Sequence, residues 1–140
     1  MRTRVPVGRK DWRPSEPSRA EREILQRFMS AWENADSVAL ITLLRDDARW
    51  AMPPAPLWLD GRAAIAQMFD FFPIALNGDF RMLPTSANRQ PATAAYLRPR
   101  GESLYHLVSL LVLRIEADQI AEVMVFRPDL FRAFGLPATL

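Results

Sequence analysis

The chain reads as an α+β domain, with helices first and an antiparallel sheet after them. Stripes of helical period occupy the first half, and two long apolar runs, Leu104 to Leu113 and Ile120 to Phe126, occupy the last quarter. Only the polar turn Glu116 to Gln119 divides these runs, and so short a connection joins antiparallel neighbours. Helices grouped ahead of such a meander pack on it as a second layer. The first run is apolar on both of its alternating faces, so both need cover. In 140 residues one cover is the helical layer and the other is a second subunit, which predicts a homodimer.

Residues 1–17 are rich in Pro and Arg, lack periodicity, and read as a flexible basic linker or arm ahead of a domain spanning 18–140. Trp12 is the one large aromatic residue in that arm. Ser18 and Glu21 have the spacing of a capping box and start the first helix. Ile24, Leu25, Phe28, Met29 and Trp32 form its apolar stripe. Asn34-Ala35-Asp36 breaks it, and Asp36 caps a short second helix with Val38, Leu40, Ile41, Leu43 and Leu44 inside. Asp46-Asp47 reads as a turn, and Ala48 to Met52 as a strand ended by Pro53-Pro54.

Pro53 to Leu59 reads as an irregular apolar loop. After Gly61 a third helix carries Ile65, Met68, Phe69 and Phe72 as its stripe. Asn77-Gly78 is a turn signal. Asp79 to Ala87 and Ala92 to Arg98 read as strands, followed by the two long ones. Pro128-Asp129 starts a terminal helix over Leu130 to Phe134, stopped by Gly135 and Pro137.

Charge is unevenly placed. Residues 1–22 hold seven of the 18 Lys and Arg but three of the 16 Asp and Glu, so the remainder is net −2. A basic groove for nucleic acid is therefore not expected in the domain. The absence of cysteine excludes disulfides and thiolate chemistry. No apolar stretch approaches the roughly 18 residues of a membrane span, and no signal-peptide core follows the basic start. A cytoplasmic location is expected. One histidine and carboxylates without ligand spacing predict no metal, and no glycine loop or other feature predicts a cofactor.

Several motifs, in order, carry a resemblance: Leu43-Leu44-Arg45-Asp46-Asp47-Ala48, Met52-Pro53-Pro54, Trp58 with Gly61-Arg62, Pro84 through Ala92, and Phe131-Arg132-Ala133-Phe134-Gly135-Leu136-Pro137. On these the chain resembles the SnoaL-like branch of the NTF2-like superfamily, and in particular the C-terminal SnoaL-like domain of bacterial extracytoplasmic-function (ECF) sigma factors. The resemblance implies an NTF2-like (cystatin-like) cone, with three helices against a curved, mostly antiparallel sheet and a short C-terminal helix. It implies a pocket between the two layers. Two positions depart from the pattern: Arg127 stands where it places an acid, and Arg89 where it places a glycine. The promoter- and polymerase-binding regions of a sigma factor are not in this sequence, so contact with a sigma core or polymerase is expected only within a longer chain.

Residues suited to line the pocket are Trp50, Met52, Trp58, Met68, Phe69, Phe72, Tyr96, His106 and Arg127. They form an aromatic, sulfur-rich set fit for a flat apolar ligand, with Arg127 favouring an anionic group at the mouth. By simple alternation His106 shares a face with Val108, Leu110 and Val112, and Tyr105 shares one with Leu107 and Ser109. Enzymes that resemble this fold pair a pocket carboxylate with a donor. Here the candidates are His106 and Glu122, the one acid interior to a strand. That scarcity favours a small-molecule-binding or regulatory interaction domain over the alternative, a small isomerase, polyketide cyclase or epoxide hydrolase. A purely structural dimer module is a third reading.

Overall fold

A computed structural model describes residues 17–53, 58–87, 89–130 and 135–140, so all but the last residue of the expected arm lies outside the described residues. Helix α1 (Arg19–Glu33) begins where the capping box places it. Ser18 Oγ accepts from the Glu21 amide at 3.1 Å, and the Ser18 amide donates to Glu21 Oε1 at 2.9 Å. The stripe Ile24, Leu25, Phe28 and Met29 is buried. Asp36 Oδ1 accepts from the Ala39 amide at 3.0 Å and caps α2 (Ser37–Thr42). Val38, expected inside, is exposed, because so short a helix buries one position, Leu40. Helix α3 (Arg62–Phe71) buries Ile65 and Phe69. Phe72 leaves that stripe: it is the C-cap, its φ of −127° breaks the helical period, and its ring is exposed.

The strands are β1 (Leu44–Ala51), β2 (Trp58–Asp60), β3 (Gly78–Ala87), β4 (Gln90–Pro99), β5 (His106–Glu116) and β6 (Gln119–Phe126). They form one six-stranded sheet in the order β2-β1-β6-β5-β4-β3. Neighbours are antiparallel except β1 and β6, which run parallel. Two sequence expectations are corrected here. Strand β2 lies at the end of the stretch read as loop, pairing Ala51 with Trp58. Asp46 and Asp47 lie within β1, not in a turn. The β1–β6 ladder shifts register between Leu44 and Arg49, and arginines take up both carboxylates, Arg62 with Asp46 and Arg45 with Asp47. A 3-10 turn, Pro128–Leu130, begins where the terminal helix was expected; residues 131–134 lie outside the described residues.

Helix α1 lies across β3 and β4, α3 lies across β1 and β2, and α2 touches both helices. The main core fills the space between the layers: Phe28, Leu40, Leu44, Ile65, Leu113, Ile120 and Val123 are wholly buried there. Each such side chain contributes on the order of 1.5–3 kcal/mol. The register shift between Arg114 and Ile115 sets Ile120 and Val123 on one face though they are three apart. On the far face a smaller cluster joins Ala87, Ala92, Leu110 and Val112 with Leu107, Phe126 and Leu136. The two-sided apolar character of β5 thus serves two clusters. The tail supplies further cover: Leu107 donates to Ala138 O at 3.0 Å, and Tyr105 and Leu140 exchange backbone bonds at 3.2 and 2.9 Å. No helix among the described residues is long and apolar enough to cross a membrane.

Candidate ligand-binding site

The aromatic residues between the layers gather around Trp32, in the last turn of α1. Its ring centroid stands 5.0 Å from that of Phe80, 5.8 Å from Phe69, 6.3 Å from Phe28 and 6.4 Å from Trp50. Trp50 and Phe69 meet edge to face at 5.6 Å. Such pairs add about 0.5–1.5 kcal/mol each beyond area burial. Besides Phe28 of α1 itself, three other elements supply partners: Trp50 comes from β1, Phe69 from α3 and Phe80 from β3. Trp32 as a residue is half-buried, yet its Nε1 is fully buried and has no hydrogen-bond partner among the described residues. The sequence reading placed Trp32 in the helix stripe and did not single it out. Its position one turn beyond Phe28, at the helix end, was the signal available.

Of the expected pocket residues, Trp50 and Phe69 are buried in this layer and Met68 packs at its margin. Others lie elsewhere. Met52 follows β1 and is exposed, as is Phe72. Trp58 pairs with Ala51, the neighbour of Trp50, so its half-exposed ring stands on the face away from the helices. The Arg49 guanidinium lies 5.5 Å from that ring and also bonds Asp60 Oδ1 at 2.9 Å. Tyr96 also faces away from the helices, because its neighbour Ala95 is in the main core. It is completely buried, and its hydroxyl donates to Pro137 O at 2.7 Å. Burial raises its pKa above the usual phenol value.

His106 stands on the opposite face from the one simple alternation gives. Ala95 pairs with Ser109 but Tyr96 pairs with Leu107, so Val108 is an extra residue and the strand's alternation reverses there. His106 therefore shares a face with its partner Leu97, and with Phe80 opposite Leu97, on the helix side. Its Nε2 lies 3.1 Å from Glu102 Oε1, in a half-exposed pair at the end of the sheet. Glu122 pairs with Arg49 and Arg114 on the far face, 3.7 Å from Arg114 Nε. The two candidate catalytic groups are thus separated by the sheet. Arg127 is exposed and 3.5 Å from Asp129. Among the described residues no three metal-ligating side chains converge.

A curved sheet over three helices is the architecture of the NTF2-like class. Among the solved structures that share this fold are two examples. A putative ketosteroid isomerase from Kribbella flavida has a TM-score of 0.61 at 17% identity, over 78% of each chain. An NTF2-like protein of unknown function from Mesorhizobium loti has a TM-score of 0.65 at 19% identity, over 81% of this chain and 95% of its own. The SnoaL-like domain profile matches residues 25–123, and the chain belongs to that family. It is also 35% identical over 120 residues to the ECF RNA polymerase sigma factor SigG of Mycobacterium tuberculosis, 84% of this chain and 32% of that protein. The chain thus spans about a third of the curated relative it matches.

Proposed function

We propose that this chain is a non-catalytic, ligand-binding regulatory domain related to the accessory domain of an ECF sigma factor, acting in the cytoplasm on transcription and pairing as a homodimer. The observation that carries the reading is the 35% identity to SigG across most of the chain. Two structural features support it. The aromatic layer around Trp32 suits a flat apolar molecule. On the helix side, where a substrate would sit, the strand-borne candidate acid is missing, since Glu122 lies on the far face. A base and a donor facing one reacting carbon are what an isomerase needs. His106 and Glu102 face each other instead, at 3.1 Å.

The test is a thermal melt with an apolar aromatic ketone, 2-acetylnaphthalene, alongside incubation with a β,γ-unsaturated ketone. A ligand at a hundredfold excess over Kd stabilises a fold by about 2.7 kcal/mol, which raises Tm by several degrees at this size. A rise in Tm with the unsaturated ketone recovered unisomerised is the expected result. No rise overturns ligand binding, and isomerisation overturns the non-catalytic reading.

A further inference from the structure

We infer that Trp32 is the hydrogen-bond donor of the ligand site, and that its ligand is a flat apolar molecule carrying a carbonyl or ether acceptor. This deepens the ligand-binding reading above and rests on it. A buried N–H with no partner is costly, and folded proteins leave few of them. Among the described residues Trp32 Nε1 has no such partner. Its neighbours offer no relief: the rings of Phe28, Trp50, Phe69 and Phe80 surround it and carry no acceptor, apart from the weak face of a π-system. The adjacent Glu33 turns its carboxylate toward β3, where Oε2 accepts from the Met82 amide at 2.8 Å.

A lone water does not solve the problem, because a buried water needs two to four polar partners. The rings around Trp32 supply only aromatic surface. An organic molecule with one acceptor and an otherwise apolar outline satisfies both requirements. Its acceptor meets the indole N–H and its rings meet the aromatic wall. Trp32 as a residue is only half-buried, at the end of α1, which leaves such a molecule a side from which to approach. The donor is also well held, since Trp32 contacts rings from α1, β1, α3 and β3.

Calorimetric titration with 2-acetylnaphthalene and 2-ethylnaphthalene compares one outline with and without an acceptor. The wild-type chain is expected to bind the ketone about tenfold more tightly, the yield of one net hydrogen bond of about 1.4 kcal/mol. In Trp32→Phe the ring remains, the donor is gone, and the two compounds bind alike. A second readout needs no variant at this position. In a ¹⁵N-correlated spectrum, with the other indoles assigned by Trp12→Phe, Trp50→Phe and Trp58→Phe, the ketone moves the Trp32 Nε1–H signal downfield and the hydrocarbon does not. Equal binding of both compounds with that signal unmoved by the ketone overturns the inference and leaves the ligand-binding reading intact; the indole then points at a ring face. Binding of neither compound overturns the ligand-binding reading, and this inference with it.

Discussion

Gly78 opens β3 at a φ of 144°, and a methyl group built on it would stand 2.1 Å from Arg98 O on the paired strand. Backbone crowds it, so nothing nearby yields. Gly78→Ala is expected to cost about 2 kcal/mol or more, read as a fall in the urea midpoint. Tyr96 makes a second case. Burial raises its pKa, so its contribution to stability is complete below about pH 10, the unfolded value, and is lost as the pH climbs through the higher folded value. In an alkaline titration followed at 295 nm, a late phenolate phase should accompany unfolding, and Tyr96→Phe should abolish it. That variant also loses the bond to Pro137 O and about 1 kcal/mol. Residue roles were the least legible part of the sequence. The cap of Ser18 and the turn at Asn77-Gly78 are local chemistry and could be read directly. The burial of Tyr96 depends on a segment 41 residues away, and no local pattern encodes it.

Strand β5 shows where element-scale reading holds and where it fails. Its two-sided apolar run correctly demanded cover on both faces, and Leu111 and Leu113 meet the helices while Leu110 and Val112 meet the far cluster. The extra residue at Val108 carries no glycine and no proline to announce it, so strict alternation put His106 on the wrong face. Strand β2 was hidden for another reason: three residues beside a proline-rich stretch give no periodicity to read. The tail yields a prediction at this scale. Removing residues 138–140 deprives the Tyr105 and Leu107 amides of their acceptors, Leu140 O and Ala138 O. Hydrogen exchange at those two amides should quicken by one to two orders of magnitude, while Leu111 and Leu113 stay protected.

At the scale of the whole molecule, the order of helices and strands was legible because stripes and runs of this length report burial directly. Family membership was legible because its motifs recur in sequence. The far face of the sheet bears on the proposed homodimer. Trp58 is 54% exposed there, and Val108, on the strand that carries Leu110 and Val112 of the far cluster, is 37% exposed. Sedimentation at micromolar concentration should give a dimer, and Trp58→Glu should shift it toward monomer without lowering the monomer's own melting temperature. A chain that sediments as a monomer before any substitution removes the dimer.

The ten-residue border strand β3 is blunted twice: the Glu33 carboxylate occupies the Met82 amide, and two residues on, at Pro84, the backbone has no hydrogen to offer. A neighbouring chain that tried to zip onto this rim would find one donor taken and the next missing. Copies of the protein are thereby steered away from growing into continuous ribbons, and Glu33→Ala should make that guard leak, seen as slow thioflavin-positive aggregation.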